Sequence, residues 1–261
     1  MISISELLDI LAVPHMQATR DLDYVLRRAA DFSAAPLGQA RYLVQTSQFH
    51  RWLYSTRSEL LVVDGHLDAH QCDKISPMSV IGATLSLAFR KLQQQAVSIE
   101  FFCGQHIAMS DDLSGPVGLV RSLISQLLLG ISALGQNPKL DFIDHPAYIE
   151  DLKTMSVDAL CDVFIQLVQQ LPSNISVFCI IDGVSWYEQD DDCDDAMSLI
   201  LGSLRGMVDD SHQAAVGPRL SVLLTSTSRS RRLQGWVADG QHVSLSAENI
   251  DTRTVSDRAL F

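Results

Sequence analysis

The hydrophobic rhythm of the chain changes near residue 59. Before that point apolar residues recur at helical spacing, with Leu7, Leu8 and Leu11, then Leu22, Val25 and Leu26, then Tyr42, Phe49, Trp52 and Leu53. Pro14 and the stretch Ala34-Ala35-Pro36-Leu37-Gly38 interrupt the pattern, so residues 1 to 55 read as about three helices. After it, short apolar runs alternate with helical segments. The runs at 59 to 64 (ELLVVD), 97 to 103 (VSIEFFC), 176 to 182, 219 to 225 (RLSVLLT) and 241 to 246 (QHVSLS) have the length and composition of strands.

The segments between them carry helix start signals. Ser76-Pro77 supplies an N-cap and a proline for the first helical position before Met78, Ile81, Leu85 and Phe89. Ser114-Gly115-Pro116 does the same before Val120, Leu123, Ile124 and Leu127, and Ser156 precedes the helix of Leu160, Phe164 and Leu167. A further helix spans about 194 to 208. Strands joined by helices require right-handed crossovers, which predicts a mainly parallel five-stranded sheet covered on both faces. The expected architecture is therefore a three-layer α/β domain over 56 to 250, preceded by an N-terminal helical segment at 1 to 55 and followed by a tail at 251 to 261.

Sheets of this kind bind ligands beyond the carboxyl ends of their strands, which directs attention to 64 to 76, 103 to 114, 182 to 195 and 225 to 232. The segment VFCIIDGVSWYE, from Val177 to Glu188, ends an apolar strand in Asp182-Gly183. An acid at that point is how P-loop nucleotidases hold the water shell of Mg²⁺. The same chemistry needs a glycine-rich loop with an adjacent Lys-Ser or Lys-Thr after an earlier strand. Here the 59 to 64 strand runs into Gly65 and on to Lys74, Ile75 and Ser76, with no Gly-Lys pair.

Six segments carry a resemblance: Trp52-Leu53 ahead of 58 to 64, Ser76-Pro77-Met78-Ser79, Phe101 to His106, Arg121 to Leu128, Phe178 to Glu188, and Leu223-Leu224-Thr225-Ser226. In this order, over about 45 to 250, the chain resembles the nucleotidase core of the STAND class, the NACHT-like signalling ATPases, and in particular a fungal group with an eroded phosphate loop. The resemblance implies a P-loop fold, cytoplasmic signalling and protein partners. For an active member it also implies ATP and Mg²⁺, with Gly65, Lys74 and Ser76 at the phosphates, Asp182 at the metal, Glu188 as base, and Thr225 and Arg229 in the sensor position. It further implies helical and winged-helix regions after the core, whereas this chain ends at Phe261, as a fragment or a stand-alone relic would.

Three departures weigh on the activity. Lys74 and Ser76 are separated by Ile75, Ser185 and Trp186 stand where the family carries further acids, and Arg229 comes two residues later than the usual Thr-Ser-Arg. Phosphoryl transfer rests on positioning and electrostatics, so together they favour a pseudo-enzyme with no cofactor, acting as a regulatory or protein-interaction module. The alternative is a nucleotide-binding ATP hydrolase with an unorthodox phosphate loop.

Composition narrows the rest. An apolar content of 47% with 19% charged residues is globular. Glu6 and Asp9 stand where a signal peptide would be basic, and no run of about 18 uncharged apolar residues appears, which points to an intracellular protein without a membrane segment. A net charge of −12 argues against nucleic-acid binding. Cys72, Cys103, Cys161, Cys179 and Cys193 are odd in number and widely spaced, as expected of reduced thiols.

The aspartates between Asp190 and Asp195 lack the glycine and glutamate of a calcium loop and read as a solvated turn at a helix N-terminus. His66, His70 and Cys72 lack a fourth ligand for zinc. His106 with Asp111 and Asp112 reads as a surface ion pair, and Trp186-Tyr187 as a lid over the core. No Gly-x-Ser-x-Gly elbow supports nucleophilic hydrolysis.

Overall fold

The computed structural model describes residues 2–32, 34–66, 74–92, 95–188, 191–213, 217–228, 230, 233 and 236–246. Its centre is a five-stranded, wholly parallel sheet in the order β2-β3-β4-β1-β5. The strands are β1 (Glu59–Asp64), β2 (Ala96–Phe102), β3 (Ser176–Asp182), β4 (Arg219–Ser226) and β5 (His242–Ser244). Their central residues are buried without the polar alternation of a half-solvated sheet, so both faces must be covered.

The two faces follow from the period of two. Leu60, Val62, Ile99, Phe101, Val177, Cys179, Ile181, Val222 and Leu224 pack under α6 (Gly115–Ala133), α8 (Val157–Gln169) and α9 (Asp191–Gln213), with α1 (Ile4–Leu11) and α7 (Pro146–Lys153) outside them. The alternate positions Leu61, Val63, Phe178, Ile180 and Leu223 face α3 (Ala34–Gln45), α4 (Ser47–Tyr54) and α5 (Pro77–Arg90). There Phe89 stacks on Phe178 at 3.7 Å between centroids, and Trp52 meets both edge-on. The result is a three-layer α/β fold of the P-loop nucleotidase kind.

The N-terminal region holds four α-helices where the periodicity predicted about three: α1, α2 (Gln17–Arg28), α3 and α4. The extra break comes at Thr46, whose hydroxyl accepts from the Phe49 N–H and caps α4. Short α7 was also unexpected; of its eight residues only Leu152 is buried, so it carries almost no apolar pattern. Ser76 caps α5 as predicted, whereas Ser114 and Ser156 hold the N-cap positions without a side-chain cap bond. Helix α6 is long and apolar enough by length and composition to cross a membrane, but 67% of that window is buried inside the domain, where it covers the sheet. Residues 251 to 261, the expected tail, lie outside the described residues.

Candidate functional site

Asp182 ends β3, an interior strand between β2 and β4, and is buried. Gly183, at φ +75°, turns the chain there and donates its N–H to the Thr225 carbonyl. Both carboxylate oxygens of Asp182 are engaged by hydroxyls. Ser79 Oγ, in the first turn of α5, donates to one at 2.6 Å, and Thr225 Oγ1, on the adjacent strand β4, donates to the other at 2.6 Å. Burial pushes the carboxyl up to about 6 while the two hydroxyls pull it down.

The start of α5 is closed in the same way. Ser76 Oγ accepts from the N–H groups of Met78 and Ser79, at 3.1 and 3.2 Å, and the Ser76 N–H donates to Ser79 Oγ at 2.8 Å. A phosphate at a helix N-terminus would take those donors. In the nucleotidase motif the hydroxyl residue facing the strand acid follows a lysine and a glycine; ahead of Ser79 stand Met78, buried, and Pro77, which has no N–H. Sequence reading singled out Ser76 for its spacing from Lys74, whereas the hydroxyl that reaches Asp182 belongs to Ser79. A hydroxyl in the first helical turn, three residues after the cap, was the available signal.

Lys74 is exposed at the lead-in to α5, with its backbone carbonyl pressed against the 103–105 turn. A Cβ on Gly104 would lie 2.1 Å from that oxygen, so only glycine admits the approach. The forces on the Asp182 carboxyl are burial and the two hydroxyls, with no cation of the described residues among them.

A second carboxylate network lies at the ends of β1 and β5. Asp64, buried, accepts from the Ser230 N–H at 3.2 Å and pairs with His242 Nε2 at 2.9 Å. Ser230 Oγ in turn donates to Glu188, which holds that half-buried carboxylate beside the β1 end. Gly65 donates its N–H to the Ser226 carbonyl, and a Cβ there would lie 2.8 and 2.9 Å from two carbonyl oxygens, so Gly65 serves a close crossing of backbones. His66 Nε2 and Ser244 Oγ are 2.8 Å apart. Arg229, and the loop residues 67 to 73 with His70 and Cys72, lie outside the described residues.

His106 corrects the sequence expectation of a surface pair. It is buried, stacked on Phe101 at 4.6 Å, and set between Asp21 Oδ2 on Nε2 at 3.1 Å and Asp111 Oδ2 on Nδ1 at 2.8 Å. Burial lowers its pKa, but the hydrogen bonds and charges of Asp21 and Asp111 outweigh burial and raise it. Asp21 belongs to α2, a segment that had shown no chemistry in the sequence, and Gln105 also donates to its backbone carbonyl. Tyr187 donates to the His106 carbonyl at 3.1 Å, and Trp186 Nε1 is buried beside Gly104 and Gly183 without a hydrogen-bond partner. The thiols of Cys103, Cys161 and Cys179 are free and buried, as expected of core residues.

As arranged, these side chains do not fit a magnesium–nucleotide. Each Asp182 oxygen already accepts a buried hydroxyl, the α5 donors are taken by Ser76, and the residue ahead of Ser79 is apolar. Among the described residues no group of three or more His, Cys, Asp or Glu is placed to share a metal ion. Comparison with family models finds no match, and comparison with curated proteins finds none.

Proposed function

We propose that this chain is a degenerate NACHT-like, STAND-type core that works in the cytoplasm as a regulatory or protein-interaction module and does not hydrolyse nucleotide. The observation that carries the reading is the closed run of hydrogen bonds from Ser76 through Ser79 to Asp182 and Thr225. In a working phosphate site those groups are held ready for ligand and metal. Here they bond one another inside the core, so a phosphate at the α5 N-terminus would have to displace Ser76 Oγ from the Met78 and Ser79 N–H groups. A group left unpaired in this way costs about 1–3 kcal/mol. The network instead locks α5 to β3 and β4, which is a structural use of the same positions.

Thermal melting with millimolar ATP, ADP or GTP and Mg²⁺ tests this. A ligand at about a hundred times its Kd adds about 2.7 kcal/mol of stability, a shift of about 2–4 °C per kcal/mol for a domain of this size. We expect no shift. A clear shift with one nucleotide would support the alternative, an ATPase using Lys74 and Ser76 in an unorthodox loop.

A further inference from the structure

One buried arginine ties the α1–α2 turn to the domain. Arg121 of α6 donates from Nε to the Leu11 carbonyl at 2.6 Å, from Nη2 to the Ala12 carbonyl at 3.1 Å and from Nη1 to the Asp112 carbonyl at 2.9 Å. It thereby fixes the end of α1 to the loop that follows β2. The turn itself is strained, because Ala12 and Met16 take φ of +49° and +64°, a region that residues other than glycine rarely occupy. Among the described residues no side chain caps the start of α2 at Met16. The chain is anchored before this turn and lightly held after it.

Beyond the turn, α2 rests on a small apolar seat and a titratable clamp. Leu22 and Val25 pack on Ile75, on Ala83 of α5 and on Phe102 of β2, a cluster separate from the two that cover the sheet. Gln105 Nε2 donates to the Asp21 carbonyl at 3.1 Å, whatever the pH. The clamp is buried His106, with Asp21 Oδ2 at Nε2 and Asp111 Oδ2 at Nδ1. Each carboxylate offers lone pairs only and a neutral imidazole has a single N–H, so both contacts are hydrogen bonds only when the ring carries its second proton. The other ionisable neighbours do not replace that proton. Burial pushes the Tyr187 hydroxyl and the Cys103 thiol up, so both stay neutral, and Arg90 is engaged with Glu100. Glu100, raised to about 7 chiefly by burial with Asp21 contributing, ionises as pH rises and sets a second negative charge near Asp21.

We propose that α2 is a proton-latched strap: the His106 imidazolium holds it shut through Asp21 and Asp111, and loss of the proton frees it to swing about the 12–16 turn. Helix α1 stays on Arg121, and the opened strap uncovers the apolar seat of Ile75, Ala83 and Phe102. Opening such a unit takes less free energy than unfolding the domain, since the sheet and its two main clusters are untouched. Burial lowers the pKa of His106, but the two carboxylates outweigh it, so the closed strap holds the proton above the free imidazole value near 6.5. The closed form therefore binds more protons than the open one, and opening becomes easier as pH rises through that range. Strap opening does not depend on whether the strand ends bind nucleotide.

The test is hydrogen exchange of the purified chain between about pH 6 and about pH 9, resolved by mass spectrometry into α1, α2 and α8 and corrected for the intrinsic exchange rate at each pH. One proton changes an opening equilibrium by up to about tenfold per pH unit. Acids buried in the core act on the whole domain, so the strap shows as an excess: α2 opening should rise by about tenfold more than that of α1 or α8. Asp21→Asn should remove the excess and keep α2 protected, because an amide can donate to the lone pair of a neutral imidazole. His106→Gln should also remove it, with α2 exchange fast throughout. An α2 response no larger than that of α1 and α8, release of α1 together with α2, or an excess that survives either variant would overturn the proposal.

Discussion

Ser79 and Asp182, 103 positions apart in sequence, meet at 2.6 Å beneath the strand ends, and Thr225 closes the other carboxylate oxygen at the same distance. The acid of the β3 end is thereby turned into a joint between α5, β3 and β4.

Removing one hydroxyl should cost stability. Ser79→Ala leaves a buried carboxylate oxygen and the Ser76 N–H without their partner, an expected loss of about 1–3 kcal/mol. Urea denaturation at pH 7 measures it. The Asp182 pKa should rise further, because that hydrogen bond is one of the influences holding it down.

The raised carboxyl fixes the sign of a pH effect. Asp182 moves from 3.8 to about 6 on folding, so the native state binds more protons than the unfolded chain between those values. Its contribution is fully present below pH 3.8 and is lost as pH rises through about 6. The wild type should therefore lose stability relative to Asp182→Asn between pH 4 and 7, by about 3 kcal/mol at about 1.4 per pKa unit. Glu100, raised to about 7 chiefly by burial against the pull of Arg90, adds a loss of the same sign in both proteins.

His106 acts in the same direction for a different reason. Its pKa is raised because Asp21 and Asp111 favour the imidazolium over the opposing effect of burial. The stability it contributes is present below the unfolded value near 6.5 and is lost as pH rises through the higher folded value. His106→Gln should remove that dependence and speed amide exchange in α2, which His106 ties to the strand ends through Asp21. Exchange in α8, which makes no such contact, should stay unchanged.

Two glycines make a matched pair. Gly104→Ala puts a Cβ 2.1 Å from the Lys74 carbonyl, whereas Gly202→Ala in α9 meets nothing within 4 Å. The first should cost about 1–3 kcal/mol or more through overpacking, and the second should stabilise α9 by about 0.5–1 kcal/mol. Thermal melts of the two variants side by side decide it.

The sheet was legible because its strands are short apolar runs bounded by turn residues, and their positions came within one or two residues of the observed bounds. Helix α5 was equally plain, since Ser76 and Pro77 mark its start and Phe89 holds the far end against Phe178. The site was only half legible. Asp182 stands out as a carboxylate ending an apolar strand, but its partner could not be found by motif spacing, because Ser79 answers to the geometry of the first helical turn and not to Lys74. The His106 clamp was hidden for a similar reason: Asp21 is 85 residues away and sits on a helix whose pattern reads as packing.

The central claim is that the strand-end network is closed to nucleotide. Isothermal titration of the folded chain with ATP, ADP and GTP, with and without Mg²⁺, tests it most directly when repeated on Lys74→Ala and Asp182→Ala. The account predicts no binding heat up to millimolar nucleotide in any of the three proteins. Micromolar binding by the wild type, lost in both variants, would contradict it and make the strand ends a working nucleotide site.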